Sequence, residues 1–271
     1  MAQFRLRDFS PWSHRKLIWQ FARKDVVLRY RGSLLGGAWS VLSPLIMLAI
    51  YTFVFQFVLH ARWPQGTSGT VGTLDYALNL YAGLLIFNWF SECLGRAPKL
   101  ILEQPYLVNK VIFPLHILGW AAAISAGIQM FISLGIWLIA SLLAGYQPTF
   151  FMLLSPLLPI LLLPWLLALM WGLSSVGVFL RDLSQLLPIV ITGLMFLSPV
   201  LYPIKALPAS LQTVAYFNPL SSTIEGLRSL VFNPADLNYL SIALSFVMGL
   251  VFAILALKLF TRLSPHFSDV L

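Results

Sequence analysis

The sequence predicts an all-α membrane protein with six transmembrane helices, an amphipathic helix ahead of the first span, and an extracytoplasmic or re-entrant helical hairpin between spans five and six. Three observations predict it. Hydrophobic residues make up 59% of the chain and charged residues 10%, against roughly 25% charged in an average soluble domain, too little polar surface to cover a water-soluble globule. Apolar runs near the ~20 residues that a helix needs to cross a bilayer recur at 36–59, 74–95, 112–144, 150–179, 184–201 and 239–261. Lysine and arginine are divided unequally between alternate connections, which gives those runs a direction.

Residues 1–33 form a basic N-terminal segment without the pattern of a cleavable signal, because the first long apolar run starts near Leu34 and continues too far. From His14 to Arg29, Leu17, Ile18, Phe21, Ala22 and Leu28 share one helical arc, and Lys16, Gln20, Arg23 and Lys24 another. That is the pattern of a helix lying in the headgroup plane. Asp25 on the apolar arc and Val27 on the polar one weaken it, leaving open a plain basic segment before the first span. Trp12 and Trp19 suit interfacial anchoring either way. In "GSLLGG", Gly32 and Gly36 form a G-x-x-x-G that would let two helices approach closely.

The third run exceeds one crossing, so part of it is expected to tilt or to begin at the interface. The fifth is short and leads into "SPVLYPIKALPASLQTVAYFNPLSSTIEGLRSLVF", where prolines preclude a regular span. Non-helical backbone at membrane depth must be covered by protein or water, which places a hairpin at about 202–232. The 34–262 region is one transmembrane domain, and 263–271 is a cytoplasmic tail too short for a sugar-binding domain.

With an inside start, fourteen of the lysines and arginines fall on inner segments and three, Arg62, Lys205 and Arg228, on outer ones. Both termini are therefore expected in the cytoplasm. The net charge of +8 follows from membrane orientation and requires no nucleic acid. Arg181 and Asp182 come after four crossings, at a cytoplasmic corner. Either they mark the membrane edge, where such pairs contribute little, or they meet a partner there.

Chemistry is sparse. The chain has no G-x-x-x-x-G-K-[ST] phosphate loop and no G-x-S-x-G nucleophile motif. His14, His60, His116 and His266 are scattered without metal-ligand spacing, so no catalytic, cofactor or metal residue is expected. Cys93 is a lone cysteine, read as a small apolar side chain. Intramembrane charge is nearly absent, Glu92 close to the inner end of span two being the one candidate, which disfavours an ion-coupled carrier. The spans are rich instead in aromatic rings: Tyr51, Phe53, Phe55 and Phe57; Phe87, Trp89 and Phe90; Trp165 and Trp171. Such faces stack on sugars and tolerate sliding, although ordinary packing accounts for any one of them.

The stretches "ARKDVVLRYRGSLLGGAWSVLSPLIMLAIYTFVF", "LVNKVIFPLHIL", "VFLRDLSQLLPIVITGLMFLSPVLYP" and "YFNPLSSTIEGLR" resemble, in order and over nearly the whole chain, the ABC-2 type permeases that export bacterial O-antigen, capsule and teichoic acid. The resemblance implies a homodimer of six-span subunits around a channel in the bacterial inner membrane. Each subunit would rest on a separate ATPase, which binds ATP and magnesium, so two ATPase copies complete the complex. It implies an interface helix near 14–29, with Lys16, Arg23 and Lys24, and a coupling loop at 97–112, with Glu103, Gln104 and Asn109. Arg181 and Asp182 would close the fourth span. Pro199, Tyr202, Pro203, Asn218 and Pro219 would form an outer gate.

The expected function is export of a lipid-linked polysaccharide, with Tyr51, Phe55, Trp89 and Phe90 lining the channel and Phe53 and Phe57 turned away. Export of drugs or lipids, and a membrane-embedded enzyme acting on lipid-linked sugars, are the alternatives. Co-purification of an ATPase separates transporter from enzyme.

Overall fold

A computed structural model describes residues 12–60, 63, 74–108, 113–208, 210, 212, 215 and 218–270. It is helical, with no strand among the described residues. The helices are α1 (Arg15–Tyr30), α2 (Trp39–Thr52), α3 (Asp75–Arg96), α4 (Pro105–Val108), α5 (Ile117–Leu143), α6 (Phe150–Leu154), α7 (Leu157–Ile160), α8 (Leu163–Gly177), α9 (Leu183–Leu197), α10 (Pro219–Phe232) and α11 (Tyr239–Leu263).

α3 is the axle of the bundle. It is packed by α2, α5, α8, α9 and α10, and sixteen of its 22 residues are buried. This explains a departure from the expected six spans. Among the described residues, four segments are long and apolar enough to cross a membrane: Gly36–Val58, Ile117–Leu143, Phe150–Gly177 and Tyr239–Asp269. α3 has the length but carries Asp75, Asn79, Asn88, Glu92 and Arg96. A helix surrounded by protein need not be apolar on every face. α9 has only 15 residues, about 22 Å at 1.5 Å per residue.

Prolines shape the boundaries. The expected span at 150–179 is three helical pieces, because Pro156, Pro159 and Pro164 each lack the amide for an i to i−4 bond. Tighter bonds close the joints, such as Leu158 N to Ser155 O at 3.3 Å and Leu162 N to Pro159 O at 2.9 Å. α5 begins at Ile117 rather than at 112, and α9 ends at Leu197 rather than 201. α10 occupies the second part of the segment expected to form a hairpin. Much of the first part, at 209–217, lies outside the described residues.

α2 runs on as a π-helical segment, Phe53–Val58, closed by Leu59 N to Val54 O at 2.9 Å. Among the described residues of the subunit, Gly32 and Gly36 pack against no other helix. Both have positive φ, 85° and 50°, and nothing lies within 4 Å of where a Cβ would stand. They turn the chain from α1 into α2, a backbone conformation that glycine adopts without a steric penalty.

Candidate functional site

α1 docks on the bundle. Ile18 and Ala22 are buried, Phe21 meets Phe113 edge-on at 5.6 Å, and the His14 and His116 rings are 5.8 Å apart. The apolar arc expected to face lipid therefore packs largely on the chain itself, while Trp12, Trp19, Val27 and Leu28 remain exposed. The two residues that spoiled the wheel have structural reasons. Val27 is simply exposed, and Asp25 accepts from Arg96 at 2.6 Å. Arg96 also lies 3.5 Å from Glu92, which pairs with Arg29. Four charges thus alternate across the junction of α1 with the end of α3. Burial opposes the charge on Arg29, but the hydrogen bond and attraction from Glu92 outweigh it and hold its guanidinium above the ordinary range. Nearby, Tyr30 Oη donates to Gln129 Oε1 at 2.7 Å, and Gln129 Nε2 donates to Ser40 O at 2.8 Å, tying α1, α5 and α2 together.

The expected coupling residues gather at this same end. Lys16, Arg23, Lys24 and Glu103 are exposed; Gln104 is half-buried, with its Oε1 unpartnered. Asn109 lies outside the described residues. Arg181 and Asp182 are exposed at the corner between α8 and α9, and they form no ion pair among the described residues. Gly177 shows how that corner meets the coupling loop. A Cβ there would stand 2.6 Å from Pro98 O, so only glycine lets the end of α8 rest on the Ala97–Lys99 turn.

The aromatic set is divided by burial. Phe53 and Phe57 are 59% and 62% exposed, with ring centroids 6.2 Å apart. Phe55 faces the other way and stacks on Tyr76 at 4.7 Å. Phe90 is buried inside the subunit and offers no face to a passing polymer. Trp89 is also buried, its indole donating to Ala123 O at 3.0 Å, yet with Tyr51 it lines a cleft of about 280 Å³ between α2, α3 and α5. Trp137, Trp165 and Trp171 likewise donate to Leu78 O, Ser245 O and His116 O, at 2.8, 2.8 and 2.9 Å. These tryptophans are pegs between helices, as suits a polar N–H that must find a partner when buried.

At the end away from α1, Pro199 of the expected gate residues meets a cation that the sequence marked only as an outer charge. Arg228 is 4% exposed. Its guanidinium donates to Asn79 O at 2.9 Å, Pro199 O at 2.6 Å, Val200 O at 2.8 Å and Glu225 Oε1 at 3.0 Å, with the Trp63 ring 4.7 Å away. Arg228 thereby clamps the turn after α9 to α3 and α10. Gly83 makes the approach possible, since a Cβ there would stand 2.7 Å from Val200 O. Asn218 caps α10 by accepting from Leu220 N at 3.0 Å and donates to Ser198 at 2.8 Å. Tyr202 Oη donates to Phe196 O at 2.5 Å. Pro203 leads into the Ile204–Ala206 turn, and Pro219 is the first residue of α10. The one sequence signal for Arg228 was a pair of opposite charges three residues apart within a proline-rich stretch whose only other charge is Lys205.

A helical bundle with segments of membrane length and a helix docked beside them has the build of a membrane protein. The model of the ABC-2 type transporter family matches residues 16–232, and the chain belongs to that family. Among curated proteins it is 24% identical over 249 residues to an O-antigen export system permease protein RfbA of Klebsiella pneumoniae, covering 92% of each chain. The RfbA of Myxococcus xanthus is 26% identical over 223 residues, 82% of each. The polysialic acid transport protein KpsM of Escherichia coli is 23% identical over 228 residues, 80% of this chain and 84% of KpsM.

Proposed function

We propose that the chain is the membrane subunit of an ATP-driven exporter that moves a lipid-linked polysaccharide across the bacterial inner membrane. It works as a homodimer, with α3 and α9 completing six spans and both termini in the cytoplasm. A separate ATPase, in two copies, docks at the α1 end and supplies ATP and magnesium. The names of the relatives support the substrate class, and the lysine and arginine asymmetry supports the orientation.

The single observation that carries the mechanism is the charge chain Asp25, Arg96, Glu92 and Arg29. A push on α1 or on the 97–104 loop reaches α3 through these ion pairs, and α8 through Pro98 on Gly177. α3 contacts most of the bundle, so its displacement shifts the others. A polymer longer than the bilayer is thick cannot be enclosed by an alternating pocket, so the path is a continuous channel. On the subunit's side it includes the cleft of Tyr51 and Trp89, with Phe55 behind it and Phe90 in a packing role.

The test is twofold. Tagged chain should co-purify with an ATPase subunit, and deletion of its gene should abolish surface polysaccharide while leaving its lipid-linked precursor inside the cell. Normal surface polysaccharide after deletion, with altered lipid or drug efflux, would replace the substrate class and keep the family.

A further inference from the structure

α3 has 22 residues and no proline, so it lacks the kind of joint that divides 150–177. Toward its C-terminus, Arg96 pairs with Asp25 and Glu92 with Arg29, both partners lying on α1. Toward its N-terminus, about 20 Å from Glu92 at 1.5 Å per residue, Asn79 and Tyr76 meet the two other elements of the far end. Asn79 O accepts from Arg228 Nε at 2.9 Å, and Tyr76 Oη donates to Leu201 O, in the turn after α9, at 3.3 Å.

Residues 198–203 of that turn belong to no helix. Three successive carbonyls in it, of Pro199, Val200 and Leu201, are taken by side chains of other elements. Arg228 takes the first two, at 2.6 and 2.8 Å, while the same guanidinium holds Asn79 O and Glu225. Glu225 also accepts from Ile204 N at 3.4 Å. One planar group, on a side chain that is 4% exposed, thus joins α3, α10 and the turn. At Gly83 the backbone of Val200 lies directly on α3, where a Cβ would stand 2.7 Å from its oxygen. Parting the turn from α3 would leave buried carbonyls and a buried cation short of partners, which is strongly unfavourable.

We propose that Arg228 is a positioning residue that makes the 199–201 turn follow α3, so that a displacement begun at the α1 ion pairs appears at the far end of the subunit. The export reading above supplies the driver of that displacement and the role of the turn as a gate; the clamp itself rests on the hydrogen bonds. Its coupling element is the rigid fork. Lysine keeps the charge but is a point donor on a flexible stem, and it does not hold three carbonyls in a fixed plane.

The test is a double-mutant cycle on the full-length chain in detergent micelles, where both ends are open to reagent. In a chain carrying Cys93→Ser and Leu201→Cys, the rate of reaction with a maleimide is measured with Arg96→Gln, with Arg228→Lys, with both and with neither. Arg96→Gln removes the pairs to Asp25 and Glu92. It should change the rate at least about fivefold when Arg228 is present and less than about twofold beside Arg228→Lys, whereas independent sites this far apart give the same factor in both backgrounds. General loosening by Arg228→Lys therefore does not imitate the result. Leu240→Cys, exposed at the start of α11, should not respond to Arg96→Gln in either background. Tyr76→Phe keeps the ring that stacks on Phe55 and removes the bond to Leu201; it replaces Arg228→Lys if that chain fails to fold, and it should likewise reduce the factor. No response at 201 to Arg96→Gln, an equal response with and without the clamp, or an equal response at 201 and 240 would overturn the proposal. Neither ATPase nor substrate enters this assay. A null cycle in a chain whose deletion abolishes surface polysaccharide thus defeats the clamp alone, and a positive cycle in a chain whose deletion spares it defeats the export reading alone.

Discussion

Asp25 and Glu92 are the two acids that hydropathy and helical wheels leave without a place, and each finds one through a partner distant in sequence. Arg96 lies 71 residues from Asp25, and Arg29 lies 63 from Glu92. A pairing of that separation is invisible to any window along the chain. The Asp25 and Arg96 side chains are about a third exposed, so the pair should add little to stability. Asp25→Asn is expected to change unfolding free energy by less than about 1 kcal/mol but to lower export several-fold while membrane insertion persists. Unchanged export would leave the charge chain as a surface feature. Arg228 presents the opposite case. Lysine cannot reproduce its planar fork, and Arg228→Lys should destabilise by about 2–3 kcal/mol, the scale of a lost hydrogen bond to a charged group. Lys205→Ala, which removes an exposed pair, should stay within about 0.5 kcal/mol. Thermal unfolding of the two variants side by side measures the difference.

At the scale of elements, α1 and its docking on α5 give a pH dependence. Burial first, and then the neighbouring His14, push His116 down to about 4. The unfolded chain binds this proton near the reference value of about 6.5 and the folded chain does not, so stability is full above that value and declines as pH falls from about 6.5 toward about 4. The loss should be on the order of 3 kcal/mol at the acid end, and His116→Gln should flatten it. A pH profile of unfolding that is the same in both proteins would remove His116 as the cause. Helix existence was largely legible in the sequence: α1, α2, α5 and α11 lie where apolar periodicity and run length put them. Boundaries were less so, because proline joints inside 150–179 and the early end of α9 depend on local backbone bonding. Gly83 and Gly177 were illegible, since only the neighbouring backbone reveals why a side chain is forbidden there. The G-x-x-x-G of Gly32 and Gly36 pointed the other way, because spacing alone does not distinguish a turn from a packing face.

For the whole molecule, the outermost helix is the informative one. Only 6% of the Gly36–Val58 window is buried, and Leu45, Ile46, Met47, Ile50, Phe53 and Phe57 are exposed along it. If α2 lies at the contact between two subunits, cysteines placed singly at Met47 or Ile50, in a chain carrying Cys93→Ser, should cross-link into dimers in membranes. One at Leu255 on α11 should not. Cross-linking at 255 alone would move the contact to α11. The residues singled out at the α1 end occur in contiguous motifs, although their ion pairs could not be read from them, whereas the far side, with Asp75, Asn79, Pro199 and Arg228 drawn from three separate stretches, gave no such motif.

The tryptophan pegs also limit how this subunit can deform. Each indole hooks one helix to a carbonyl at a fixed height on its neighbour, at Ala123, Leu78, His116 and Ser245. A slide of α5 by one helical turn, about 5.4 Å, would break three of these hooks at once, and because α3 and α5 are hooked at two heights a tilt between them is opposed as well. α3, α5, α8 and α11 are thus laced together like a braced frame, and work delivered at one end should reach the other as a movement of that frame as a whole.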